Sequence, residues 1–162
     1  MIELIPDFLV QSLEEFETRA RIVESLDPIA HIVHIDVLDG SWIPEKESWA
    51  DAAAIGNAMT PLTFELHLIV ANPIEHLDAW FDVPAVKRVF FHLETATQPK
   101  QVIEAIRFHG WEVGVAINPE TPASAVAEIA HYVDEIMCMT VKTGASGRPF
   151  EHDVLKKIEE LA

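Results

Sequence analysis

The stretch HIVHIDVLDG, residues 31–40, decides how this chain is read. A β-strand sends alternate side chains to opposite faces, so Val33, Ile35 and Val37 form one apolar face while His34, Asp36 and Leu38 share the other. An imidazole and a carboxylate therefore leave an otherwise apolar strand in the same direction. The arrangement returns downstream. In TFELHLIV (63–70) Glu65 and His67 share one face opposite Phe64, Leu66 and Leu68, and in VFFHLE (89–94) His92 and Glu94 lie opposite Phe91 and Leu93. One buried histidine alone is most often a hydrogen-bonded core residue. Three successive strands with the same pattern point instead to a shared polar interior.

Around these strands the chain alternates two kinds of segment. Short runs rich in Val, Ile, Leu and Phe fall at about 2–9, 31–38, 62–70, 86–93, 112–117 and 133–141. Helical spacing marks 12–26, 73–81, 98–110 and 122–133, and EHDVLKKIEELA (151–162) follows the last run. Asn72-Pro73 and Thr121-Pro122 each place a capping side chain before a first-turn proline, and Gly110 closes the helix of 98–110. Six strand-then-helix units of this length predict a parallel sheet, either doubly wound or closed as a barrel. Periodicity does not choose between the two. The polar strand ends favour the barrel, because an open doubly wound sheet is covered by apolar helix on both faces. A barrel strand has an interior face whose carboxyl-terminal end carries chemistry.

With 162 residues, 49% of them hydrophobic, the chain can bury one core, and a single domain over 1–162 is expected. Lys and Arg total 11 against 27 Asp and Glu, a formal charge of −16, which argues against nucleic acid or an anionic membrane as partner. No run of 18 uncharged apolar residues occurs, and MIELIPDFLV carries Glu and Asp where a secretion signal has a basic start; the expectation is a soluble, cytoplasmic protein. Cys138, the single cysteine, permits no internal disulfide and is expected in the core.

His34, Asp36 and His67 make a set of two imidazoles and one carboxylate on neighbouring strands, a donor set that suits Zn²⁺, Mn²⁺ or Fe²⁺ and leaves coordination positions open for substrate oxygens. His92 and Glu94 are expected to support that set or to be structural.

HIDVLDGSWIP (34–44) resembles the His-x-Asp-x-Met-Asp-Gly-x-x-x-Pro signature of the ribulose-phosphate 3-epimerases. ELHLIVANP (65–73) resembles their second signature, and VFFHLE (89–94), VGVAINPETP (113–122) and MTVKTGASGRPF (139–150) resemble later segments in the same order. The resemblance implies a (β/α) barrel that binds a pentulose 5-phosphate and interconverts ribulose 5-phosphate and xylulose 5-phosphate by metal-assisted proton transfer at carbon 3. It implies that Asp36 is an acid/base group and a metal ligand, that His34 and His67 are further ligands, and that Met139 lies beside the substrate. Gly144 and Gly147 are expected to approach the substrate through their backbone, with Lys142 and Arg148 supplying charge for a phosphate.

The sequence also departs from the family pattern. Leu38 and Ile69 stand where the two signatures have methionine, KTGASGR (142–148) replaces an Asn-Pro-Gly-Phe-Gly-Gly-Gln loop, and the substrate-contacting serine expected near Pro6–Val10 is absent. A full barrel of this kind has eight units in about 250 residues, whereas six are legible here, and the resemblance places a fourth ligand and second acid/base group on the seventh strand. The expectation is a TIM-barrel-like fold reduced to six β/α units with parallel strands, epimerase-like and weakly active or inactive as an isolated chain. The alternative is a non-catalytic truncated barrel that keeps the fold and a metal site. A related decarboxylase barrel ranks third, because strand 2 reads DVLDG and lacks the lysine of an Asp-x-Lys-x-x-Asp motif. Six strands must either close on themselves or bury their edges in a homo-oligomer, expected to be a dimer.

Overall fold

In the computed structural model of the chain, which describes residues 3–144 and 147–162, every strand runs parallel to its neighbours. The strands are β1 (Asp7–Phe8), β2 (Ile32–Leu38), β3 (Thr63–Ile69), β4 (Val86–His92), β5 (Glu112–Ile117) and β6 (Glu135–Cys138), and they pair in sequence order. Sequential parallel pairing follows from units whose helices return the chain to the same end of the sheet. Among the described residues β6 does not pair with β1, so the sheet is an open half-barrel and the six strands do not close. The first strand is far shorter than the apolar run 2–9. Pro6 has no N–H to give a ladder and contributes only its carbonyl, which accepts from the His34 N–H at 2.9 Å.

One arginine measures the curl of the sheet. Flat strands set 4.8 Å apart would separate β3 from β6 by roughly 14 Å. Yet Arg88 Nη1 on β4 lies 2.9 Å from Glu65 of β3 and 2.7 Å from Glu135 of β6, and Nη2 lies 2.9 Å from Glu112 of β5. Their side chains converge only if the sheet bends towards them. The face bearing Glu65, Arg88, Glu112 and Glu135 is therefore concave, and by alternation it also bears His34, Asp36, His67, Phe90 and His92.

The opposite, convex face is the core. Val33, Ile35, Leu66, Leu68, Phe91 and Val115 are fully buried there beneath the helices. The first helix, α1 (Leu13–Glu24), begins where Ser12 Oγ accepts the Glu15 N–H at 3.2 Å while Glu15 reaches back to the Gln11 N–H at 2.9 Å. Its Phe16 meets the rings of Phe8 and Phe64 edge-on at 5.7 and 5.9 Å. The short α2 (Ala52–Gly56), too brief to show a helical period, is capped by Asp51, whose carboxylate accepts the Ala54 N–H at 3.0 Å.

Two expected helices are shorter than their sequence span. Over 73–81 the chain forms α3 (Ile74–Leu77) and then a single 3₁₀ turn, Asp78–Trp80. Over 122–133 it forms no α-helix but two 3₁₀ segments, Ala123–Val126 and Ala130–Tyr132, with Val126 and Ile129 buried. Neither expected cap serves its helix: Asn72 donates to the Glu75 side chain at 2.6 Å, and the Thr121 hydroxyl donates to Glu94. Gly110 does follow α4 (Pro99–Phe108), at φ +83° with its N–H on the Arg107 carbonyl at 2.9 Å. The last helix is α5 (Val154–Leu161). Among the described residues no helix is long and apolar enough to cross a membrane. Cys138 is half-buried against the core, and burial raises its thiol pKa.

Candidate functional site

On the concave face of β2 and β3 the expected donors meet, His34 and Asp36 within β2 and His67 near the carboxyl end of β3. Register sets His34 beside Glu65 and Asp36 beside His67 on the concave face. His34 Nε2 lies 3.6 Å and His67 Nδ1 2.9 Å from the same atom, Asp36 Oδ1. One donor atom from each of the three residues lies within 4.8 Å of the others. An ion held at about 2.1 Å from nitrogen and oxygen donors needs only small side-chain movements to draw such a set together.

The remaining ring nitrogens are also engaged. His34 Nδ1 donates to Glu65 Oε1 at 2.6 Å, and the other oxygen of Glu65 is held by Arg88 at 2.9 Å. His67 Nε2 meets His92 Nε2 at 2.8 Å, and His92 Nδ1 donates to Glu94 at 3.2 Å. Glu94 in turn accepts the Asn118 backbone N–H at 2.8 Å and the Thr121 hydroxyl. Each imidazole is thus oriented from behind, His34 directly by a carboxylate and His67 through a second imidazole. This is the usual support of histidines that bind metal. Two imidazoles and a carboxylate fit a borderline divalent ion such as Zn²⁺, Mn²⁺ or Fe²⁺.

The electrostatics follow from burial and neighbours. Burial opposes a charge on His34, but the hydrogen bonds and charges of Asp36 and Glu65 outweigh it and push the imidazole up to about 9. Burial likewise works against the Asp36 carboxylate, yet His34 and His67 hold it well below the ordinary carboxylate range. His67 is fully enclosed, and desolvation depresses it to about 4 despite Asp36, so it is neutral near pH 7. Glu94, though desolvated, is held at about 2 by His92, Thr121 and the Asn118 N–H. Asp7 faces the open edge of the same concave side, beside His34 in register. Desolvation and the Asp36 charge push it up to about 6.

Above the cluster the β2–α2 loop turns back over the mouth. Trp42 packs on His92 with ring centroids 4.7 Å apart, and Ile43 reaches the loop after β6, where a Cβ at Gly144 would lie 2.9 Å from Ile43 Cγ2. Gly144 is also at φ +77°, so a side chain there is both strained and crowded. Leu38 and Ile69 are buried beside the site.

The loop residues expected to bind substrate are placed less tightly. Met139 extends β6 by one rung, its N–H on the Ile117 carbonyl at 2.9 Å, and by alternation it faces the concave side with Glu135. Lys142, Gly147 and Arg148 are exposed, and among the described residues neither cation forms an ion pair with a carboxylate. Ala145 and Ser146 of the same loop lie outside the described residues.

Arg88 is the member that sequence reasoning missed. Its signal was present: Arg88, Phe90 and His92 alternate on β4, placing a cation level with Glu65 of β3. His92 touches His67 directly at 2.8 Å, the contact that a supporting residue makes.

Comparisons with known proteins agree with one another. A family model described as the ribulose-phosphate 3 epimerase family matches residues 8–162. A protein of Treponema pallidum named ribulose-phosphate 3-epimerase is 33% identical over 132 residues, covering 82% of this chain and 60% of the relative. One of Chlamydia muridarum with the same name is 32% identical over 129 residues, 80% of this chain and 56% of the relative. One of Bacillus subtilis, also so named, is 28% identical over 161 residues, 99% of this chain and 73% of the relative. The chain thus spans under two thirds of the length of the first two relatives.

Proposed function

This chain belongs to the ribulose-phosphate 3-epimerase family, and we propose that His34, Asp36 and His67 form a metal-holding acid–base site that acts on a pentulose 5-phosphate. The convergence of the three donors supports this reading, with both imidazoles braced from behind. A divalent ion held by these three residues, Zn²⁺, Mn²⁺ or Fe²⁺, would supply Lewis-acid stabilisation to the substrate oxygen that gains charge when the neighbouring carbon loses its proton.

The chain's own groups divide the remaining work. Asp36 takes the carbon 3 proton. Its Oδ1 is engaged by both imidazoles, and among the described residues Oδ2 makes no hydrogen bond and is left for substrate. A carboxylate held so far below its ordinary range is a weak base, so it depends on a substrate acidified at the site. The neutral His67 keeps a lone pair for coordination. Trp42 and Ile43 cover the mouth, where they limit water around the reacting carbon. Gly144 and Gly147 offer backbone, and Lys142 and Arg148 charge, to the phosphate.

Return of the proton is the weak step. Among the described residues the carboxyl on the concave side that is free of an ion pair and shifted towards neutrality is Asp7, on the exposed edge strand β1. An acid on a two-residue edge strand is loosely held, and losing one positioned acid/base partner costs about 10² to 10⁴ in rate. The isolated chain is therefore expected to invert carbon 3 slowly. Among the described residues the outer edges of β1 and β6 have no strand partner, and they are read as the surfaces of a homodimer.

The test separates abstraction from inversion. Exchange of the carbon 3 proton with deuterium oxide, followed by NMR on ribulose 5-phosphate with each metal, reads abstraction alone; formation of xylulose 5-phosphate reads both steps. Exchange should depend on metal, outrun inversion and vanish in Asp36→Asn. Metal-independent exchange that survives Asp36→Asn would overturn the proposal.

A further inference from the structure

Glu65 differs from the other carboxylates around Arg88. It is 4% exposed, and its two oxygens do different things: Oε1 accepts from His34 Nδ1 at 2.6 Å and Oε2 accepts from Arg88 Nη1 at 2.9 Å. Glu112 and Glu135 also bind Arg88, but their side chains are 56% and 48% exposed and neither touches the donor cluster. The guanidinium is itself fixed, because three strands supply its partners and its charge lies 6.0 Å from the centre of the Phe90 ring. A buried carboxylate locked on one side by a fixed cation has one direction left for its second oxygen, towards His34.

That geometry settles which face of the His34 ring is presented. A ring whose Nδ1–H is committed to Glu65 turns Nε2 towards Asp36 and His67, as the 3.6 Å separation from Asp36 Oδ1 shows. Without Glu65 the ring is free to rotate about its side-chain bonds and to carry its proton on either nitrogen. We infer that Glu65, anchored by Arg88, is a positioning residue of the donor set: it selects the His34 tautomer and ring orientation that offer Nε2 as a ligand. The residues on either side reinforce this. Glu65 and His34 are register neighbours on β3 and β2, so the contact is set by strand pairing rather than by a loop. The ion cluster at the base of the half-barrel, which looks structural, thereby reaches the site one side chain away. This inference rests on the metal-site reading of the preceding subsection.

Supporting groups behind metal-bound histidines are worth about 10- to 100-fold in metal affinity. The probe is Co²⁺, whose visible absorption reports the donor set, with affinity measured by competition against a chromophoric chelator. The proteins are the parent chain, Glu65→Gln, Glu65→Asp, Glu112→Gln and His34→Ala, each checked by circular dichroism and thermal unfolding. Glu65→Gln keeps an oxygen acceptor but loses the charge that binds Arg88; Glu65→Asp keeps the charge but withdraws the oxygen from His34. Both should weaken Co²⁺ by at least about 10-fold and alter the absorption bands. Glu112→Gln leaves Arg88 Nη1 held by Glu65 and Glu135, and should leave affinity and spectrum unchanged. If the two Glu65 variants fold and bind Co²⁺ as tightly as the parent, with the same spectrum, Glu65 is structural and the inference is wrong. If Glu65→Gln does not fold, Glu65→Asp decides by the same criterion. If the parent binds Co²⁺ no better than His34→Ala, the metal-site reading itself falls and carries this inference with it.

Discussion

Replacing Gly114 by alanine should reveal how the concave face is packed. Gly114 lies on β5 directly beside Phe90 of β4, and the Phe90 ring lies over the space where a side chain would stand. A Cβ built there would be 2.1, 2.2 and 2.6 Å from Phe90 Cδ1, Cε1 and Cγ. Ordinary carbon contacts are near 3.5 to 4.0 Å, so the ring must move by more than an ångström. Phe90 is 2% exposed, with His34 at 6.0 Å on one side and the Arg88 guanidinium at 6.0 Å on another. Relief therefore costs buried contacts or disturbs the donor cluster. Overpacking of a filled interior costs typically 1–3 kcal/mol, and an overlap this deep belongs at the upper end, about 3 kcal/mol. The opposing gain from a less flexible unfolded chain is about 0.4–1 kcal/mol, leaving a net loss of about 2 kcal/mol. Urea unfolding should show a lower midpoint with an unchanged slope. Combining Gly114→Ala with Phe90→Leu should recover much of the loss, because the two residues touch. Gly110→Ala supplies the contrast: its Cβ meets nothing within 4 Å, and only the left-handed backbone at φ +83° resists it, at about 1 kcal/mol. A Gly114→Ala protein as stable as the parent would refute this packing.

Three further outcomes are expected. The His34 imidazole is raised from 6.5 to about 9 in the folded chain, so without metal its contribution to stability is fully present below pH 6.5 and is lost as pH rises through about 9. A metal competes with that same proton, while His67, lowered to about 4, has none to lose. Mn²⁺ affinity, read from the EPR signal of the free ion, should rise roughly tenfold per pH unit up to about 9, and a flat profile would contradict the assignment. Lys157 is 8% exposed and its ammonium donates to the carbonyls of Asn118 and Pro119 at 2.6 and 2.9 Å. Lys157→Met strands both acceptors and should cost about 3 kcal/mol in urea unfolding. Lys142→Gln with Arg148→Gln changes two exposed loop cations; thermal stability should hold while KM for the sugar phosphate rises, and an unchanged KM would remove both from phosphate binding.

Local pattern carried much of this. The period-two alternation of HIVHIDVLDG and TFELHLIV was enough to put His34, Asp36 and His67 on one face, because side-chain direction in a strand is set by backbone geometry alone. The alternation of segment types was enough to identify parallel β/α units, and ordered signatures along 34–150 were enough to suggest the family that the family model matches. Capping was less legible. Asn72 and Thr121 have the chemistry of caps, yet a neighbouring Glu75 and a distant Glu94 take their hydrogen bonds. Likewise the apolar spacing of 122–133 is compatible with two helix types, and the chain takes the tighter one.

What lay beyond the sequence was distance across strands. Whether six units close depends on curvature and on the lengths of the edge strands, and a two-residue β1 leaves the half-barrel open. Arg88 reads as an ordinary surface cation on a strand until the curl brings Glu65, Glu112 and Glu135 from three other strands within 3 Å of its guanidinium. The same curl turns a row of separate histidines and carboxylates into one chain of contacts from Arg88 to Asn118, joined between His34 and Asp36 by a 3.6 Å approach. Residue types and strand faces are properties of the chain taken a few residues at a time. The partners of a buried charge depend on which strands are folded next to it, and for this protein only the tertiary structure decided that.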